Sequence, residues 1–311
     1  MADGWWASLH THSTFSYLDG YAMPDAHVAR AAELGMNSLA LTEHGNVSSH
    51  ARLEQACDKA GIKPIYGLEA YTAPGDFIAD KIKPRWHLGL LAMDQVGYSN
   101  LMEMVTQSWG EDFYYEATIS GRSLADHSDG IAVLSGCTGS KLACDLVGGK
   151  GREDHAPDLR AAEETAGQFR DLFGDRYFLE VQAFPDLDKT RAINPCYEFL
   201  ARRLGIPLIA TRDVHYPYPD NNAMQVLLHA TGRGGVTTDR QEQTWEYDVR
   251  LTYPETRDEL FMSLYKTGLS PDAAQEAIDN TLELAERCNV RLPKAPPLKF
   301  PATEEDWNPW T

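Results

Sequence analysis

The sequence predicts an α/β fold built as a closed βα barrel, and three observations carry that expectation. Seven short apolar runs alternate with helix-like stretches over roughly the first 210 residues, the pattern of parallel strands joined by crossover helices. That many strands in that length favour a closed barrel over an open sheet, and no glycine fingerprint of a dinucleotide-binding sheet follows the first run. Residues of metal-ligating type follow five different runs, which in a parallel barrel places them together at one mouth.

The apolar runs fall at residues 5–9, 38–42, 62–71, 88–93, 131–135, 177–182 and 207–211. Between them, residues 24–34 carry Ala26, Val28, Ala31, Ala32 and Leu34 at helical spacing, with Pro24 suited to a first turn. Residues 48–60 read as a helix closed by Gly61, 97–109 as a third, 161–173 as one stopped by Gly174, and 194–204 as one stopped by Gly205. After Pro219 the pattern changes. Residues 221–230 read as helical, 231–243 as a polar loop, and 255–264 and 270–288 as two helices, the second capped by Ser270 with Pro271 in its first turn. From Pro293 the chain is Pro-rich and loses periodicity, as a linker or tail does.

Composition fits a globular chain: of 311 residues 43% are hydrophobic and 24% charged. No apolar run approaches the ~20 residues needed to span a bilayer, and no secretory signal opens the chain, so no membrane partner is expected. Five cysteines, an odd number without a Cys-x-x-Cys pair, point to a reducing, cytoplasmic setting. The net charge of -18 disfavours a broad basic footprint for nucleic acid and fits a site that gathers divalent cations.

His10 and His12 follow the first run, His44 the second, Glu69 closes the third, Cys137 follows the fifth, and Asp213 and His215 follow the seventh. Residues two apart on an extended strand point the same way, so His10 with His12, and Asp213 with His215, can each present a pair to one centre. A lone His-x-His arises by chance, and a Cys in Leu-Ser-Gly-Cys is commonly core filler; the joint placement is what points to a metal site. His87 precedes its apolar run and Asp19 lies in a loop, so strand-end logic selects neither.

In chain order the motifs are Leu9-His10-Thr11-His12-Ser13, Ser16-Tyr17-Leu18-Asp19-Gly20, Leu41-Thr42-Glu43-His44-Gly45-Asn46, Gly61 to Tyr71 ending in Gly67-Leu68-Glu69-Ala70-Tyr71, His87-Leu88-Gly89-Leu90-Leu91-Ala92, Leu134-Ser135-Gly136-Cys137, and Ala210-Thr211-Arg212-Asp213-Val214-His215-Tyr216. Together they resemble the PHP (polymerase and histidinol phosphatase) domain, in the form found at the N-terminus of bacterial DNA polymerase III alpha subunits. The resemblance runs to about residue 292. It implies an α/β fold, a distorted seven-stranded (β/α) barrel of the PHP type with a C-terminal helical extension: residues 1–220 as the metal-binding barrel, 221–292 as the extension packed on it, and 293–311 as the Pro-rich tail or linker.

The resemblance further implies nine ligands for up to three divalent metals. His10, His12, Glu69 and Asp213 would hold the first; Glu69 would bridge to a second, completed by His87 and Cys137; Asp19, His44 and His215 would hold the third. Mixed N, O and single-S ligation suits Zn²⁺, with Mn²⁺ or Fe²⁺ as alternatives. Glu43 stands where Asp is usual and is expected to orient His44. The implied activity is a metal-dependent phosphoric ester hydrolase, a 3′-to-5′ proofreading exonuclease, with His10, His12, Glu69 and Asp213 at its catalytic centre. Its partners would be a single-stranded or frayed DNA 3′ end and other replicase domains or subunits. A stand-alone phosphatase on a small phosphorylated metabolite and a structural module of a replicase are the alternatives.

Four further features stand outside this set. Arg212 neighbours the site but alternates away from Asp213 and His215. Pro185-Asp186-Leu187-Asp188 resembles paired polymerase carboxylates yet reads as a solvated loop, and Gly232-Arg233-Gly234-Gly235 reads as a turn. Trp307 and Trp310 in the tail are candidates for docking on a partner or on the barrel.

Overall fold

The computed structural model describes residues 4–83, 85–149, 155–232 and 249–294. Strands β1 (Ser38–Leu41), β2 (Lys63–Thr72), β3 (Trp86–Ala92), β4 (Phe113–Tyr114), β5 (Glu116–Ile119), β6 (Ile131–Leu134), β7 (Tyr177–Gln182) and β8 (Leu208–Thr211) alternate with helices. These are α1 (Pro24–Glu33), α2 (His50–Ala60), α3 (Gln95–Trp109), α4 (Gly121–Asp126), α5 (Lys141–Val147), α6 (Leu159–Phe173), α7 (Asp188–Leu204), α8 (Asn222–Gly232), α9 (Arg257–Lys266) and α10 (Pro271–Arg287).

A seven-membered ring closes through the N-terminal segment. That segment is not a continuous strand; it bridges β1 by Ser8 and Leu39 and the end of β8 by Thr11 and Val214. From β1 the ring passes to β2, β3, β6, β7 and β8. Pairing is parallel except at β3, which runs antiparallel to both β2 and β6. The expectation of uniformly parallel strands therefore fails at one place, and the reason lies in the connection. Among the described residues no helix separates β2 from β3, so the chain turns back beside the strand it has just left instead of crossing over. Two short elements absent from the sequence reading, β4 and β5, form a hairpin whose β5 continues along the upper part of β2.

Strand alternation sorts the ring into an inner and an outer face. Ala7, Leu9, Ala40, Ile65, Leu91, Ala132, Leu134, Phe178 and Ile209 form one buried cluster, one or two residues from each member of the ring. Leu284, Ala285 and Cys288 of α10 and its C-cap belong to the same cluster and plug its lower end. Thr281 on α10 bonds the Ala7 backbone at 3.2 Å, and Lys63 reaches the Ala285 carbonyl at 2.7 Å. The opposite parity, with Leu39, Leu41, Tyr66, Leu68, Leu90, Val133, Leu179 and Leu208, packs outward on the helices. The interior is narrow: a Cβ on Gly67 would sit 2.6 Å from Leu91 Cδ2 and 2.8 Å from Thr42 Cγ2.

The same inward parity that buries Ile65 carries on to Glu69, Phe178 to Glu180, and Ile209 to Thr211. The apolar plug thus gives way to a polar layer toward the mouth.

His50, at the start of α2, is a buried histidine outside that layer. Its Nε2–H donates to the Gly67 carbonyl at 2.9 Å, and burial pushes its pKa down to about 4, partly opposed by that bond. A depressed histidine keeps its full contribution to stability above the unfolded value of 6.5 and loses it as pH falls toward 4. Stability therefore falls with acid in this window. A His50→Gln variant, which keeps a donor for Gly67, is expected to lose about 2 kcal/mol less than the parent between pH 7 and 5. Urea unfolding at the two pH values measures the difference; equal losses would show that His50 is not held neutral.

Candidate metal centre

All nine sequence-selected residues meet at the mouth of the ring. Glu69 lies at the middle of the cluster and is 1% exposed. Its Oε1 faces His10 Nε2 at 3.3 Å and His87 Nδ1 at 3.0 Å; its Oε2 faces His12 Nε2 at 3.3 Å and His44 Nδ1 at 2.8 Å. Asp213 Oδ1 stands 3.3 Å from His10 Nε2 and 3.5 Å from His12 Nε2. Cys137 Sγ lies 3.3 Å from His87 Nδ1 and accepts from the Gly139 backbone. Asp19 Oδ2 takes His44 Nε2 at 2.8 Å and His215 Nε2 at 3.1 Å.

The antiparallel run of β3 explains His87. Register pairs His87 with Tyr71 and Gly89 with Glu69, so the beginning of β3 lies beside the end of β2, at the mouth. The Ser-Gly-Cys turn comes close beneath it: a Cβ on Gly136, whose φ is +90°, would lie 2.4 Å from the His87 carbonyl oxygen. Two other residues at the site hold left-handed backbone without being glycine, Leu18 (φ 62°) beside Asp19, and Asp213 itself (φ 46°). Aspartate tolerates that region better than most residues.

Hydrogen bonds behind the cluster fix which ring nitrogen faces it. His10 Nδ1 donates to Glu180 Oε1 at 2.6 Å, an oxygen that also accepts from Thr211 Oγ1 at 2.7 Å. Ser16 donates its single hydroxyl proton to Glu43 at 2.6 Å, so His12 Nδ1, 2.8 Å from Ser16 Oγ, must be the donor there. His215 Nδ1 donates to the Asp213 carbonyl at 2.8 Å. Each arrangement turns Nε2 toward the centre with its lone pair available once the ring is neutral, the tautomer a metal-ligating histidine needs. Glu43 does not touch the His44 ring, contrary to expectation. It accepts from Ser13 N at 3.0 Å, Ser13 Oγ at 2.5 Å and Ser16 Oγ, and through Ser16 it holds both the His12 ring and the His44 backbone N–H.

The electrostatics are those of a cluster with too many donors for its protons. Burial alone would lower His10, and Asp213, Glu180 and Glu69 more than offset it, holding His10 well above the usual histidine range. Burial would likewise lower His44, but Glu69 and Asp19 outweigh it and raise the ring to about 10; Asp19 and Asp213 do the same for His215, at about 9. Burial would raise Glu69 and Asp213; His87, His10 and His44 hold the first down, and His10 and His215 the second. Burial and the nearby carboxylates push the Cys137 thiol well up, so a cation is needed to make it a thiolate.

The residues fit divalent cations on a structural criterion. His10 Nε2, His12 Nε2, His44 Nδ1, Glu69 Oε1 and Asp213 Oδ1 are buried and lack a hydrogen-bond partner, although they face one another at short range. Three groups, His10 with His12 and Glu69, His12 with His44 and His215, and His44 with Glu69 and His87, each bring their ligand atoms within 4.8 Å of one another. Orphaned buried donors that converge are costly unless something pairs with them, and N, O and S donors together suit Zn²⁺ and its neighbours.

Sequence reasoning missed Glu180, Gln182 and His229. Glu180 and Gln182 are polar residues at inward parity in an otherwise apolar strand, the signal that marks them; Gln182 donates to Asp213 Oδ2 at 3.2 Å. His229 on α8 bonds Asp19 Oδ1 at 2.6 Å, and no motif announces it. Arg212 is structural: it donates to the carbonyls of Ala183, Arg250 and Thr252 and lies over the Phe184 ring. Asp186 and Asp188 are exposed and outside the cluster, with Asp188 opening α7. Arg233 to Gly235, Trp307 and Trp310 lie outside the described residues.

A Glu43→Gln substitution places an amide N–H₂ among three donors. It is expected to cost about 1–3 kcal/mol in urea unfolding at pH 7; an unchanged midpoint would show that Glu43 is not holding Ser13 and Ser16.

A family model described as the PHP domain matches residues 8–184. Among curated proteins the chain is similar to DNA polymerase III subunit alpha of Treponema pallidum (36% identity over 296 residues, 93% of this chain and 24% of that protein). It is similar also to DNA polymerase III subunit alpha of Chlamydia trachomatis (33% over 313 residues, 92% of this chain and 24% of that protein). The chain therefore spans about a quarter of the length of these relatives. Among solved structures it is similar to a histidinol phosphate phosphatase from Lactococcus lactis (14% identity, TM-score 0.41, 75% of this chain and 95% of that one), a likeness too slight to add to the family match. No helix among the described residues is long and apolar enough to cross a membrane.

Proposed function

This chain belongs to the PHP domain family, and on that premise we propose that it is a metal-dependent phosphoesterase acting as a 3′-to-5′ exonuclease within a DNA polymerase III alpha subunit. The observation that carries the reading is the set of five buried, converging polar atoms without hydrogen-bond partners around Glu69. His10, His12, Glu69 and Asp213 would hold one divalent cation; Glu69, His87 and Cys137 a second; Asp19, His44 and His215 a third. Zn²⁺ and Mn²⁺ suit this donor set, with Fe²⁺ as an alternative. When bound, such cations supply Lewis acidity, lowering the pKa of water to about 7 and offsetting phosphate charge.

The chain's own residues do the positioning. Glu180 and Thr211 hold His10, Ser16 and Glu43 hold His12, and the Asp213 carbonyl holds His215. Exposed aromatic faces border the mouth and support a single-stranded substrate. Tyr17 projects beside the Asp19 loop, while Trp109, bonded to the Gly45 carbonyl at 2.7 Å, stacks on Phe113. Such faces accept unpaired bases by stacking. Since the net charge is -18, grip on the strand falls to these faces, to the cations and to other replicase domains or subunits.

A 5′-labelled single-stranded DNA, incubated with Mn²⁺ or Zn²⁺, is expected to shorten stepwise from its 3′ end. Asp213→Asn keeps a residue that tolerates the left-handed backbone and is expected to slow cleavage by at least about 100-fold. No cleavage by a cation-loaded chain would sink the exonuclease reading for this domain alone, and release of phosphate from a small phosphomonoester instead would redirect it to a phosphatase.

A further inference from the structure

Asp19 is held by three imidazoles, and only two of them belong to the nine-residue set. Its Oδ2 faces His44 and His215, and its Oδ1 accepts from His229 Nε2 at 2.6 Å. The two oxygens thus have different duties. Oδ2 is shared by the two histidines proposed to complete a cation position, whereas Oδ1 is fixed from behind by a residue 210 positions along the chain.

His229 is carried on α8, which places polar side chains on its inward face and large apolar ones in solvent. Gln225, one turn earlier on the same face, is 5% exposed, with its Nε2 unpartnered among the described residues, while Met224 and Leu227 are 41% and 44% exposed. The inward face of this helix therefore mixes polar Gln225 and His229 with buried Ala230, and polar contacts tie both of its ends. At its N-terminal end Asn222 donates to Tyr216 Oη at 3.1 Å; near its C-terminal end the contact is His229 with Asp19. With Met224 and Leu227 left in solvent, part of what docks this helix is its polar contacts, so its docking responds to the state of the carboxylate it grips.

Resting on the reading that the cluster binds cations, we propose that His229 is the positioning residue of the outermost cation position. It holds Asp19 by Oδ1 so that Oδ2 stays turned to His44 and His215, and it links occupation of that position to docking of α8. A carboxylate ligand whose second oxygen is anchored is pre-oriented, and loss of such an anchor commonly weakens a metal by about 10–100-fold. Linkage is reciprocal: if docked α8 strengthens the cation, the cation strengthens the docking.

The test uses the full chain with Mn²⁺ as the probe, following calorimetric stoichiometry and amide exchange in residues 222–232. In the parent, Mn²⁺ is expected to slow exchange in α8. In His229→Leu, one Mn²⁺ equivalent is expected to weaken by about 10–100-fold with the others unchanged, and the effect of Mn²⁺ on α8 exchange to vanish. His229→Gln, which keeps an N–H donor, should restore part of both. Equal binding of every equivalent by parent and His229→Leu would overturn the proposal, as would an equal weakening of all equivalents, which marks general damage. A parent chain that binds no Mn²⁺ overturns this inference together with the cation reading; normal binding untouched by His229→Leu overturns this inference alone.

Discussion

Glu69 is the constraint on which the site depends. It is a buried carboxylate whose two oxygens each face two imidazoles, His10 and His87 on one side, His12 and His44 on the other. Burying such a charge without strong pairing costs several kcal/mol. Without cations, His10 and His44 meet that cost by holding protons above the usual histidine range, His44 up to about 10. A divalent cation on each side of the carboxylate would replace those protons and satisfy the atoms that have no partner.

The fold brings this about by layering. Inward positions near the base of the ring are apolar and plugged by Leu284, Ala285 and Cys288, whereas the same parity nearer the mouth carries Glu69, Glu180 and Thr211. The core and the site are consecutive segments of the same strands. The bonds that fix the imidazole tautomers therefore come from the ring's own wall, Glu180 and Thr211, and from the loop carrying Ser16. The rigidity of the site is inherited from the rigidity of the core.

Much of this was legible in the sequence. The seven extended runs and most helices follow from apolar period and from Gly and Pro at their ends; β7 falls at 177–182 as read. His10, His12, His44, Glu69, Cys137, Asp213 and His215 follow from their places at strand ends, while Asp19 and His87 entered through family motifs alone. His87 was obscure because strand direction does not show in hydrophobic pattern. The missing clue is the absence, among the described residues, of a helix between β2 and β3, which makes β3 antiparallel and brings its first residues to the mouth. The hairpin of β4 and β5 is too short, at two and four residues, to leave a period. Glu43 reaches His44 only through Ser16 and the backbone, and the His12 ring by the same hydroxyl, because its partners Ser13 and Ser16 are set by the fold of a loop that spacing does not specify. His229 lies on a helix whose inward face mixes polar and apolar residues, and only tertiary contact reveals its partner.

An anomalous difference map from crystals grown with Zn²⁺ or Mn²⁺ would show whether the Glu69 cluster holds cations. Peaks are expected on both sides of the Glu69 carboxylate, one among His10, His12 and Asp213 and another toward His87 and Cys137. Crystals with ordered side chains and no peak within the cluster would contradict cation binding there, leaving the converging histidines and carboxylates as a protonated network.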